Sequence, residues 1–318
     1  MDLFDEHYLG MLAAEAFIRR AAALNLPFML KGSYVTRQYF ANPLDREPQD
    51  LDWVYVGGRL GSEAEARALF DEWVIRVTEH FEPDGAVFDN FRKNAFWRGI
   101  DYAMADDFPT VNTDLICQLY QADGSTRLIG LGLDVSFNLP MDVPSEPLYY
   151  IPLQGEPFLV EHSTPPALQV AWKLHQTLVR PRLKDLFDLR HLLRHPDFTA
   201  AVRQQALEAL RRECRADGTD PTRLRYLLAG ELAPLYPQQD VEEIWQHWRH
   251  QRDYSAAYRA TKGFVWHSDR ASHITDPQKL PATLADFAQQ LRDAFAAAGF
   301  AAEAPLTEAA RRKPASKR

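Results

Sequence analysis

The stretch "LKGSYVTRQYFANPLDREPQDLDWVYV", residues 30–56, decides how this chain is read. Asp50 and Asp52 stand two apart at the mouth of an apolar, β-branched run that is closed by Gly57 and Gly58. In a strand, residues i and i+2 project to the same side about 7 Å apart. The spacing therefore predicts that Asp50 and Asp52 face one way while Leu51 and Trp53 face the other. Two like charges side by side on a buried strand are unfavourable unless a cation holds them. Mg²⁺ meets that need, because hard divalent ions prefer carboxylate oxygen and sit in phosphoryl-transfer sites on one or two carboxylates plus substrate phosphates. The plain alternative for a bare Asp-x-Asp is a pair of side chains capping a strand or turn.

The residues upstream shift that balance. "FMLKG", residues 28–32, reads as a short strand that stops at Gly32, and Ser33 can cap the helix "YVTRQYF" because its hydroxyl accepts from N–H groups of the first turn. Gly32 lets a phosphate approach the backbone, Ser33 offers a hydroxyl, and the start of the helix points N–H groups at an anion. A strand, a Gly-Ser bend at a helix start and a second strand carrying Asp-x-Asp together describe a site for a nucleoside triphosphate and its metals.

Two-metal nucleotidyl transfer calls for a third carboxylate on a neighbouring strand. Two apolar runs, "TVNTDLICQLYQ" and "TRLIGLGLDVSFN", are joined by "ADGS", and Asp-Gly signals a two-residue hairpin turn. With Asp123-Gly124 as that turn, Asp134 lies opposite Thr113 and Asp114 opposite Leu133, so the two aspartates face opposite sides. Gly130, Gly132 and Ser136 flank Asp134 on its own face and leave room for a nucleotide, whereas Asn112, Ile116 and Gln118 flank Asp114. Asp134 is the expected third carboxylate.

The rest of the chain is ordered α/β first and all-α second. Apolar spacing predicts a helix over 8–24, and "SEAEARALFDEWVIRVTEHF" a second that Ser62 caps. Residues 82–110 are mixed, and the proline-rich residues 140–166 read as an extended connection. Pro165 and Pro166 open the helix "ALQVAWKLHQTLV", Pro181 ends it, and "LKDLFDLRHLLR" is another short helix. From about 198 the pattern is helical through "LADFAQQLRDAFAAAGF". The expected division is 1–160, 161–300 and a basic tail at 301–318.

With 318 residues and 46% hydrophobic content the chain has the composition of a globular protein. Its first residues are acidic where a signal peptide is basic, and it holds no apolar run of membrane-spanning length. Cys117 and Cys214 form neither a CxxC pair nor a disulfide framework, which favours a cytoplasmic protein. A net charge of −8 argues against nonspecific coating of nucleic acid. Residues 173–225 nevertheless carry twelve Lys and Arg against seven Asp and Glu, and Arg180, Arg182, Arg190 and Arg194 within them could meet an RNA backbone or form a solvated face. His247 and His250 lie at helical spacing beside Trp245 and Trp248, where packing is the expected role.

Placed in this way, the residues resemble the AbiEii/AbiGii toxin family of nucleotidyltransferases over roughly 25–195. "FMLKGS" looks like that family's strand and Gly-Ser turn, "REPQDLDW" like its Arg-x-Ser-x-Asp-Ile-Asp segment, and "LGLDVSF" like its third-carboxylate strand. "ALQVAWKLHQTLVRPRLKDLFDLRHLL" looks like its Lys-bearing helix followed by Arg/Lys-Asp-x-x-Asp-Leu. Two departures stand out. Sixteen residues separate Ser33 from Asp50, a longer gap than usual, and Pro48 replaces a common Ser or Thr.

The resemblance implies a polymerase-β-like mixed sheet with flanking helices followed by a helical half. It also implies Mg²⁺-dependent transfer of a nucleoside monophosphate from an NTP, with two metal ions on Asp50, Asp52 and Asp134. Gly32 and Ser33 would grip the outer phosphates, and Lys173, Lys184 and Asp185 would edge the nucleotide. The implied acceptor is the 3′ end of tRNA, and the implied partner a cognate antitoxin. Modification of a protein side chain, or nucleotide binding without turnover by a regulatory partner, are the alternatives.

Overall fold

The computed structural model describes residues 3–48, 50–100, 110–121, 123–250 and 279–300. Chain contacts assign the described residues through Pro165, together with Trp248–His250, to a sheet unit, and Pro166–His247 with residues 279–300 to a helical unit, one boundary falling in the last turn of the helix Val241–Arg249.

In the sheet unit the elements are α1 (Leu3–Leu24), β1 (Phe28–Lys31), α2 (Ser33–Thr36), β2 (Leu51–Tyr55), α3 (Glu63–Glu79), β3 (Ala86–Phe88), α4 (Phe91–Asn94), β4 (Arg98–Ile100), β5 (Thr110–Tyr120), β6 (Thr126–Ser136), β7 (Glu146–Tyr150) and β8 (Phe158–Ser163). The described strands form one sheet in the order β3-β5-β6-β2-β1-β8-β7, with β4 also pairing β5. Two pairings, β2 with β6 and β1 with β8, are parallel, and the rest are antiparallel. The mixed sheet with flanking helices is the expected architecture.

Helix α3 begins as its sequence requires. Ser62 accepts from the Glu65 amide at 3.2 Å, and the Glu65 carboxylate reaches back to the Gly61 amide at 2.7 Å, a reciprocal cap that satisfies amides the helix itself leaves unpaired. Phe17 of α1, Phe28, Trp53, Phe70 and Trp73 then fill the space beneath one sheet face. The Phe28 and Trp73 rings stack at 3.9 Å between centroids, and Phe17 meets Trp73 edge-on at 5.6 Å. Truncating one such buried aromatic costs about 3–5 kcal/mol.

A buried polar knot fastens α1 to the chain around it. The Glu15 carboxylate accepts from Arg37 at 2.9 Å, from the Tyr150 hydroxyl at 3.0 Å and from the Leu153 amide at 2.7 Å. Glu15 and Arg37 are both buried. Burial pushes the Glu15 carboxyl above its ordinary value, with Arg37 pulling the other way.

Three expectations are corrected. First, Ser33 is not the cap of the helix after β1. Gly32 occupies that position with φ 74°, no side chain caps the helix, and after Thr36 the backbone tightens into a 3₁₀ turn over Arg37–Tyr39. Second, residues 140–166 are not merely a connection, because they contain β7 and β8. Prolines hid them: β7 is the terminal strand of the sheet, and its register shifts between Glu146 and Leu148, across Pro147. A residue without an N–H is tolerated at such an edge or bulge.

Third, the β5–β6 hairpin turns through three residues rather than two. Gln121 donates to the Ser125 carbonyl at 2.8 Å, Gly124 donates to the Gln121 carbonyl at 2.9 Å, and Gly124 takes φ 80°. The extra residue moves the register by one position. Asp134 therefore pairs with Asn112, and Asp114 with Gly132, so Asp114 and Asp134 share a face instead of opposing one another.

In the helical unit, α5 (Pro166–Val179), α6 (Leu183–Leu192), α7 (Ala200–Asp217), α8 (Leu224–Ala229), α9 (Val241–Arg249) and α10 (Leu284–Ala297) follow. Trp172 of α5 donates to Glu213 of α7 at 3.2 Å, and Trp245 stacks on Phe287 at 4.9 Å. No helix among the described residues is long and apolar enough to cross a membrane.

Candidate active site

The site is set by the centre of the sheet. Parallel pairing of β2 with β6 puts Asp52 level with Asp134. Antiparallel pairing of β1 with β2 puts Lys31 level with Asp52. Residues paired across a sheet share a face, so Lys31, Asp52, Asp134 and Asn112 line up across four adjoining strands, on the face that Trp53, Leu133 and Val135 turn away from as they enter the core.

Asp50 precedes β2 and joins the same face. A Cβ built on Gly132 would lie 3.2 Å from Asp50 Oδ1, so this carboxylate fills the room that the glycine leaves. The room expected for a nucleotide is taken by Asp50 instead. Gly32 performs the same service for Asp52. A Cβ there would come 2.2 Å from Asp52 Oδ2, and its φ of 74° already disfavours any other residue. The glycine expected to admit a phosphate is thus in direct contact with a carboxylate.

The two facing aspartates have different neighbours. Asp52 Oδ1 is 3.3 Å from Lys31 Nζ, and both side chains are partly exposed. Asp134 is buried, and its Oδ1 accepts from the Asn112 amide at 2.5 Å. The Asn112 carbonyl oxygen in turn accepts from Arg98, which also pairs with Asp114 Oδ2 at 2.8 Å. Among the described residues no three or more His, Cys, Asp or Glu side chains converge closely enough to hold a metal ion. The donor set nevertheless suits a hard cation, because Asp50, Asp52 and Asp134 offer carboxylate oxygens to one surface.

A family model of the AbiEii nucleotidyl transferase toxin, of type IV toxin–antitoxin systems, matches residues 16–304. The chain belongs to this family. The match covers most of the chain, including the helices after 198 that the motifs alone left unassigned. No curated protein matches the sequence. As an AbiEii protein the chain is a nucleotidyltransferase enzyme with an NTP substrate, and its family implies a cognate antitoxin.

The remaining predicted site residues lie in the helical unit of this AbiEii chain. Lys173 Nζ donates to Asp188 at 2.7 Å and stands 3.4 Å from Asp185, which also accepts from Arg182 Nε at 2.5 Å. Asp185 and Asp188 share a helix face as their spacing requires, and the cation between them is Lys173. Three of the four arginines considered for RNA have structural work in this unit, Arg182 in its pair with Asp185 and two more beside Gln290. Arg190 is buried, bonds Gln290 at 2.6 Å and covers the Phe187 ring at 4.8 Å, while Arg194 donates to the Gln290 carbonyl at 3.1 Å. His247 and His250 are exposed beside buried Trp245 and Trp248.

Lys31, Asn112 and Arg98 also line this face, and none of them was expected there from the sequence. The signal for Lys31 was its place immediately before Gly32 on a strand that must pair with Asp52. Asn112 follows only from the three-residue turn, and Arg98 stands in the stretch whose pattern is mixed.

Proposed function

We propose that the chain transfers a nucleoside monophosphate from an NTP to an RNA hydroxyl, with Mg²⁺, and that the acceptor is the 3′ end of tRNA in the cytoplasm. The observation that carries the reading is the level pairing of Asp52 with Asp134 across β2 and β6, with Asp50 Oδ1 beside Gly132 on the same face. In this reading Asp50, Asp52 and Asp134 hold Mg²⁺, which when bound neutralises phosphate charge and lowers the pKa of a bound hydroxyl. Asp134 accepts the proton of the attacking hydroxyl. The acceptor oxygen bonds the α-phosphorus, the bond to the β-bridging oxygen breaks, and pyrophosphate leaves. Gly32 and Ser33 lie beside the outer phosphates, and Lys173, Lys184 and Asp185 contribute to nucleotide binding on the strength of the family motif.

The test is to incubate the full chain with each labelled NTP, Mg²⁺ and bulk tRNA, beside Asp52→Asn. Label entering RNA with the unchanged chain alone supports the reading. Label on protein overturns the RNA acceptor, and nucleotide binding without label anywhere overturns transfer itself.

A further inference from the structure

We propose that Asn112 is a positioning residue for this reaction, fixing the Asp134 carboxylate through an amide whose orientation Arg98 sets. The inference rests on the reading of Asp50, Asp52 and Asp134 as cation ligands.

A side-chain amide is nearly symmetric in shape, so its partners decide which end points where. The Arg98 guanidinium can only donate, so the Asn112 atom facing it is the carbonyl oxygen. The amide nitrogen is thereby turned to Asp134, where it donates to Oδ1 at 2.5 Å and also reaches the Leu133 carbonyl at 3.4 Å. Asp114 holds Arg98 from the other side at 2.8 Å. The result is a relay from Asp114 through Arg98 and Asn112 to Asp134, crossing three strands of one face.

The choice of donor matters chemically. Lys31 brings a full positive charge to Asp52, and such a charge competes with a cation for the carboxylate. Asn112 restrains Asp134 with a neutral group and leaves its negative charge for a cation, while the Arg98 charge is offset by Asp114. Groups that orient metal-binding carboxylates in this way typically change metal affinity or activity by about 10–100-fold when removed.

The experiment measures Mn²⁺ binding to the full chain by electron paramagnetic resonance, together with kcat, KM for NTP and melting temperature. Asn112→Ala is expected to bind Mn²⁺ about 10–100-fold more weakly and to lose kcat by a similar factor, with KM for NTP little changed. Arg98→Ala is expected to lose less, Arg98→Lys to restore most of that loss, and Arg98→Ala to add nothing in the Asn112→Ala background. Should Asn112→Ala melt far below the unchanged chain, Asn112→Leu, which keeps the volume, replaces it. Mn²⁺ affinity in the Asn112 variant equal to that of the unchanged chain overturns the proposal and leaves the reading of the carboxylates intact. Failure of the unchanged chain itself to bind Mn²⁺ overturns both.

Discussion

Gly32 and Asp52 are in contact, so the conformation of the bend after β1 and the position of the Asp52 carboxylate are one structural fact. A methyl group on Gly32 would sit 2.2 Å from Asp52 Oδ2, and the φ of 74° with ψ of −153° belongs to a region that glycine alone enters readily. Gly32→Ala is expected to cost about 1–3 kcal/mol of stability from the backbone alone. It is also expected to lower nucleotide transfer by more than the stability change explains, because Asp52 must move. Urea denaturation beside a transfer assay separates the two effects, and an active Gly32→Ala protein would refute the contact's importance.

Replacing Asp52 or Asp134 by Asn keeps shape and removes charge. Transfer is expected to fall by about a thousandfold or more, the scale of losing several kcal/mol of transition-state stabilisation. The fold should persist, since fewer like charges then crowd one face. Circular dichroism with a labelled-nucleotide assay checks both halves, and a variant with near-normal transfer excludes that aspartate from the chemistry.

Glu15 gives a prediction independent of function. Glu15→Ala leaves Arg37 buried without its carboxylate and is expected to cost about 3–5 kcal/mol. In the unchanged chain burial raises the Glu15 pKa above 4.5, so the folded state holds this proton more tightly than the unfolded state. Its contribution is therefore complete below about pH 4.5 and declines as pH rises through the folded value. Denaturation midpoints against pH for the unchanged chain and Glu15→Gln measure it: the unchanged chain should lose ground to the variant as pH rises above that point.

Cys117 and Cys214 are buried thiols whose pKa is pushed up to about 12 by desolvation. Neither is expected to react with iodoacetamide at pH 8 in the folded chain, and both should label once it is denatured. Mass spectrometry reads the count, and rapid native labelling of either would contradict the packing described.

What could be read from the sequence was what depends on neighbours along the chain. Ser62 with the amphipathic repeat after it announced α3, Pro166 announced α5, and the spacing of Asp50 and Asp52 announced a shared face. What could not be read depended on a single residue of register or on distant partners. "ADGS" supports a two- or three-residue turn, and only Gly124 in the left-handed region settles which. The strands around Pro147 and Pro157 were concealed because proline signals a break wherever edge position is unknown. The pairing of Asp52 with Asp134 joins positions far apart in sequence, and no local pattern carries that information.

The parallel pairing of β2 with β6 has a consequence for synthesis. A ribosome that has released the first hundred residues has delivered Asp50 and Asp52 but not the strand that must lie beside them. With the three carboxylates read as proposed, that fragment lacks part of the site, whatever nucleotide it meets. On that reading the site is completed only when a late segment slots between two earlier ones.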